Sequence, residues 1–236
     1  MMSRDVTGSV VSNNVIREAY HKCIVVQGTD NLLIKGNVAF DTKGHCFVLQ
    51  DGAETGNVFE GNLGALTKSL KKDYRSPSGD TGNDPATFLI SNPQNSLIGN
   101  VAAGSDEEGF WFELRRWSVR GLSKERMAAE GIPNHQRALQ RAPITLFKDN
   151  VAHSNGVVSL RLRDYFPALG GNGEQLVQGF KSYRNAYGVW IYYAADIAFE
   201  GLYEADNYEK NFDINRADNI RIKDATIIGY SDFYKK

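Results

Sequence analysis

No stretch of this sequence approaches the ~18–20 consecutive apolar residues of a membrane-spanning helix, so no span is expected in it. The opening residues, MMSRDVTGSVVSNN, have no apolar core of the kind a secretory leader needs. Charge of one sign is missing as well. With 27 basic and 28 acidic side chains the net charge is −1, which removes the electrostatic case for nucleic acid or an anionic membrane as partner. Proline is scarce at 6 residues while glycine reaches 23, and asparagine is frequent. That balance excludes a collagen-like or disordered chain and points to many tight turns. Zinc-ligand spacing, a phosphate-binding glycine loop and a nucleophile elbow are all absent.

What is present is a repeat. Asn14, Asn37, Asn62, Asn100 and Asn150 each open a similar segment, such as NVAFDTKGHCFVLQDG from Asn37. Weaker copies start near Lys181, Gly201 and Asp224. The steps are 23, 25, 38, 50, 31, 20 and 23 residues, and the two longest contain insertions. Each copy has two short apolar strands around a corner, as in DNLLIKGNVAF. A unit this short cannot bury its own apolar side, but stacking the units does so, each strand pairing in parallel with its equivalent one coil away. Asparagine suits the corner because it tolerates left-handed backbone and can bond its neighbours along the stack. The expected fold is all-β: a right-handed parallel β-helix with loop and short helical insertions. Residues 1–236 are expected to form one such domain, and the sequence reads as a fragment of a larger protein.

Side chains alternate along a strand, so the repeat sorts them by face. Ile24 and Val26, Phe47 and Leu49, and Phe110 and Phe112 are expected inside. Allowing a two-residue deletion, Val158 and Leu160 join them, as do Val189 and Ile191. The alternate positions face outward: Val25 and Gln27, Val48 and Gln50, Trp111 and Glu113, Ser159 and Arg161, Trp190 and Tyr192, then Arg115 and Arg163. A stripe of Trp111, Arg115, Arg161, Arg163, Trp190 and Tyr192 offers flat apolar area to sugar rings and guanidinium forks to carboxylates. An acidic polysaccharide fits both. The opposing expectation is that insertions cover this face. Those at 68–84 and 115–143 are read as following the same strand of their coils, as does RDYFPALGGNGE, and therefore as bordering one face. A helix is expected over Ser123 to Glu130, capped by Ser123 and stopped by Gly131.

For chemistry, His45 stands just before its strand, with Lys22 and Glu108 at equivalent places and Asp41, Asp51 and Glu54 near it. Histidine with carboxylate neighbours can transfer protons near neutral pH, although a lone histidine is more often structural. His45 and Glu113 are the acid–base candidates, with Glu108 or Asp106 as the second carboxylate that glycoside hydrolysis needs. No cofactor is expected. The run Ser105-Asp106-Glu107-Glu108 has oxygen ligands for Ca²⁺ but reads first as a solvated turn. Cys23 and Cys46 each lie nine residues past their Asn, hence one above the other, as a disulfide or as a stacked pair of thiols.

Two stretches resemble a known family: VVQGTDNLLIKGNVAFDTKGHCFVLQDGAETGNVFEGNLGALTKS and ATFLISNPQNSLIGNVAAGSDEEGFWFEL. The resemblance rests on Gly28-Thr29, Phe40-Asp41-Thr42 with Gly44-His45, and Asp51-Gly52 with Glu54. Asn62-Leu63-Gly64, Ser91-Asn92-Pro93 and Ala102 to Ser105 leading to Gly109-Phe110-Trp111 extend it. It is to the β-helix region of the G8-domain proteins, a family that takes in cell-surface hyaluronidases and fibrocystin-like proteins, and it covers about residues 10–115 well. Gln50 stands where the family pattern leads one to expect an acid, which weakens this corner as a catalytic one. The resemblance implies an extracellular or cell-surface β-helix that binds, and in some members depolymerises, an acidic polysaccharide such as hyaluronan. The alternative it carries is a non-catalytic adhesion or receptor segment. Any enzymatic role is expected to be hyaluronidase-like glycoside hydrolysis rather than lyase chemistry.

Overall fold

A computed structural model describes residues 4–70, 84–114 and 138–231. Almost every described element is a short strand, and every strand pairing is parallel. The strands stack into three sheets joined by corners, which is a right-handed parallel β-helix. One coil visits the first, second and third sheet in turn. The first coil runs through Val10–Ser12, Val15–Arg17 and Ile24–Val26, and the second through Leu33–Lys35, Val38–Lys43 and Phe47–Leu49. The described strands make seven coils and begin an eighth with Asp218–Lys223 and Thr226–Ile228. One long strand, Tyr187–Glu200, serves the third sheet and then the first without a break.

The corner between the first and second sheets explains the repeat. Just before it the backbone is left-handed in every coil, at Asn13, Gly36, Gly61, Gly99, Asp149, Gly179, Gly201 and Asp224. That conformation favours glycine, asparagine and aspartate, the residue types found there. The next residue forms the ladder. Each Asn side-chain oxygen accepts the backbone N–H and side-chain amide of the Asn one coil back, at 2.8–3.0 Å from Asn14 through Asn37, Asn62 and Asn100 to Asn150. Beyond Asn150 the same place is taken by Phe180, Leu202 and Ala225, so the repeat starts expected at Lys181, Gly201 and Asp224 lie one residue off. Two shorter ladders, Asn57 to Asn95 and Asn155 through Asn185 to Asn207, occupy other corners.

The core is the interior of the coil. On the third sheet Phe47, Phe88 and Phe110 stack face to face, with ring centroids 4.8 and 4.7 Å apart, each buried. Full burial of a side chain this size contributes roughly 1.5–3 kcal/mol. Phe88 belongs to Ala86–Ile90, the third-sheet strand of the Asn62 coil, which the repeat alignment passes over because the 68–84 insertion separates it from its corner. Cys23 and Cys46 are joined as a disulfide with Cα atoms 4.6 Å apart, one coil rise.

Three expectations change. Leu160 is inward as expected, but it pairs with Phe110 and Leu162 with Phe112, so the register differs by two residues from the one that set Val158 opposite Phe110. Val48 points outward by alternation, yet it is fully buried. The insertions do not follow the same strand. Residues 68–84 fall between a second-sheet and a third-sheet strand, whereas 115–143 and the Pro167–Gly170 turn follow third-sheet strands. The expected helix over 123–130 lies outside the described residues. Among those described, the helical segment within 115–143 is the single turn Ala138–Arg141, and no helix is long and apolar enough to cross a membrane.

Candidate functional site

Parallel register places one residue directly above another, so the outer face of the third sheet can be read column by column. The central column is Val25, Val48, Leu89, Trp111, Arg161, Trp190 and Asp213. Its middle is an alternation of indole, guanidinium and indole. The Arg161 guanidinium lies 4.9 Å from the Trp111 ring centroid and 4.5 Å from that of Trp190. A cation between two aromatic faces gains from both ring quadrupoles. All three side chains are half-buried, so each presents an edge.

The next column contains Arg163 and Tyr192. Arg163 sits 5.5 Å from the Tyr192 ring centroid and is exposed, with Asp164 at 3.3 Å. Arg216 approaches the same ring from the following coil at 5.9 Å and donates to the Tyr192 hydroxyl at 3.3 Å. Arg216 was absent from the sequence-derived set. The signal that finds it is its place just beyond Asn215, which pairs with Tyr192. Two exposed arginines thus bracket one tyrosine, and Trp190 lies 6.1 Å from it. Arg115 lies outside the described residues.

Beneath Arg161 sits Glu108. Its Oε1 accepts from Arg161 Nη1 at 2.6 Å, while the carboxylate is 2 % exposed and the guanidinium side chain 16 %. Glu108 Oε2 and Arg161 Nε are buried without a hydrogen-bond partner. Burial pushes the Glu108 carboxyl up to about 7, against the pull of Arg161 and with a further push from Glu107 and Asp84. Glu107 is itself raised, first by burial and then by Asp84 and Asp106.

The acid–base candidates are arranged differently from one another. His45 is almost fully buried, and its Nδ1 accepts the Ala86 backbone N–H at 3.0 Å, which ties the ring into the sheet. The His45 ring lies 6.2 Å from Trp111, tilted by 56°. Glu113 follows Trp111 by two and is half-buried at the strand end, where its N–H joins the ladder to Ile90. The Ser105 to Glu108 run does not converge on one point: Asp106 accepts the Ser69 N–H and Glu108 takes Arg161. Among the described residues no group of three or more His, Cys, Asp or Glu is placed to hold a metal ion.

Chemically, this face offers aromatic edges, exposed guanidinium groups and one carboxyl poised near neutrality. Comparison with known proteins places it in context. The model of the family described as CEMIP beta-helix matches residues 1–160. The chain belongs to that family. Similar proteins include human cell surface hyaluronidase CEMIP2, 35% identical over 159 residues, which cover 59% of this chain and 11% of the relative. The human cell migration-inducing and hyaluronan-binding protein is 35% identical over 160 residues, covering 59% of this chain and 11% of the relative. Human fibrocystin-L is 26% identical over 247 residues, covering 95% of this chain and 5% of the relative. The chain thus spans a small part of each relative's length. The family match ends at residue 160, so Trp111 lies within it and Arg161, Arg163, Trp190, Tyr192 and Arg216 lie beyond it.

Proposed function

We propose that this CEMIP-type β-helix binds an acidic polysaccharide of the hyaluronan class, outside the cell or at its surface, along the outer face of its third sheet. The observation that carries the reading is the Trp111–Arg161–Trp190 stack continued by Tyr192 between Arg163 and Arg216. Sugar rings lie against the aromatic edges, and uronate carboxylates meet the guanidinium groups. Two relatives, one named a hyaluronidase and one named hyaluronan-binding, support the ligand class.

A binding surface is favoured over a cleaving one. Glycoside hydrolysis needs two carboxyl groups that reach the same bond. Glu108 is covered, and His45 is fixed into the sheet by Ala86. Replacing Trp111 and Trp190 together by Ala is expected to weaken binding of a hyaluronan oligosaccharide by about tenfold or more, measured by calorimetry. Unchanged affinity rules out this face. A reducing-end assay on hyaluronan is expected to show no product, and steady release of new ends would restore the hydrolase reading.

A further inference from the structure

The Glu108–Arg161 pair is incompletely satisfied. One hydrogen bond joins it where a guanidinium–carboxylate fork can make two, and both Glu108 Oε2 and Arg161 Nε are buried and unpartnered. The arginine cannot turn away to find better partners, because an indole closes it in on each side. Such a pair is held by packing more than by its own attraction.

We propose that Glu108 is a proton-operated gate on Arg161, so that this face takes up a polysaccharide carboxylate together with a proton. The inference rests on the polysaccharide reading above and specifies how that site is regulated. With Glu108 ionised, Arg161 is neutralised from below, and an incoming anion also meets Glu107, Asp84 and Asp106 nearby. When Glu108 takes a proton from solvent, the pair gains one positive charge. Arg161 then offers that charge, through the rim between Trp111 and Trp190, to a carboxylate of the ligand. Binding and protonation reinforce each other, because each ligand anion favours the neutral form of Glu108. The burial that lifts the Glu108 carboxyl to about 7 places the change in the range that extracellular fluids cross.

Other charged groups surround the pair. His45 faces Trp111 from the second coil, Glu107 and Glu113 share the Glu108 segment, and Asp84 precedes the neighbouring strand. Arg163 lies two residues beyond Arg161, and His153 lies on the adjoining second-sheet strand. A histidine would also strengthen anion binding on acidification, so the test must isolate Glu108.

The experiment is calorimetric titration of the full chain with a hyaluronan octasaccharide at about pH 5.5 and about pH 8, in buffers of differing ionisation enthalpy. The unmodified chain is expected to bind about tenfold tighter at the lower pH and to take up close to one proton per ligand at the higher. Glu108→Gln is expected to bind equally at both, with the low-pH affinity and no uptake at this site. Equal affinity of the unmodified chain at both pH values overturns the gate, as does a Glu108→Gln variant that keeps the pH dependence. The proton count needs no variant, so absence of uptake overturns the gate even where Glu108→Gln fails to fold. Binding at neither pH overturns the polysaccharide reading itself, whereas binding without pH dependence overturns only the gate.

Discussion

Two buried carboxyl groups, in different parts of the helix, show how environment assigns a role. Glu204 lies inside the solenoid on the second sheet, in register with Ser182 and Ile227. Its Oε2 accepts from the Asn207 amide at 2.7 Å, and its Oε1 is buried without a partner. Burial pushes it up to about 9, opposed only by the neutral partners Ser182 and Asn207. Glu108 lies on the outer side of the third sheet with a guanidinium against it, and burial lifts it only to about 7. One carboxyl therefore stays neutral throughout the physiological range, and the other stands at a balance point. Glu108 has a cation, Arg161, opposing its burial, and Glu204 has none.

The largest expected effect comes from Glu204. Its folded value lies above the ordinary 4.5, so it contributes stability that is present below about pH 4.5 and is lost progressively up to about pH 9. Relative to Glu204→Gln, the unmodified chain should lose about 1.4 kcal/mol per pH unit across that window, measured by urea unfolding at a series of pH values. Parallel pH profiles would break the contrast between the two acids. Next comes Asn207→Ala, which strips Glu204 of its amide donor and Asn185 of the acceptor for its N–H and side-chain amide. Leaving these buried groups unpaired is expected to cost about 2–4 kcal/mol in the same unfolding experiment. Arg161→Met sharpens the contrast from the other side. Without the opposing cation, the Glu108 titration midpoint should rise by about one unit or more, towards the behaviour of Glu204, as followed by carboxyl-carbon NMR. A midpoint that does not move would mean that Arg161 does not set it. The smallest effect belongs to Tyr192→Phe, which removes only the exposed bond from Arg216 and should change stability by about 0.5 kcal/mol or less.

The stacked coils were legible in the sequence because the first five of these corners pair a left-handed residue with a following asparagine, a marker that survives even the two long insertions. Legibility fails where the ladder changes chemistry. Phe180 and Leu202 fill the asparagine place with apolar side chains, so the later coils lose their marker. The inward and outward alternation located Trp111, Arg161, Trp190 and Tyr192 on one face correctly. Glu108, read in the sequence as a second carboxylate for hydrolysis, shares parity with the inward Phe110 and Phe112 yet does not join them. The ladder of paired residues skips Gly109 between them, and the carboxyl instead joins Arg161 on the outer side. Glu204 was invisible for a related reason. A glutamate in a strand reads as exposed, and only the three-sided closure of the coil puts it inside, against the bare Gly188, where an added Cβ would run into Glu204 Oε2. Arg216 was missed because its neighbour across the coil, Tyr192, is fixed by register and not by sequence proximity.

Hydrogen–deuterium exchange of the full chain, with and without a saturating hyaluronan octasaccharide, tests most directly the claim that the third sheet is the ligand face. Protection is predicted in Val158–Tyr165, the first part of Tyr187–Glu200 and Lys210–Asn215, with none in the second-sheet strands Lys181–Tyr183 and Tyr203–Ala205. Protection confined to those second-sheet strands, or no change anywhere, would contradict it.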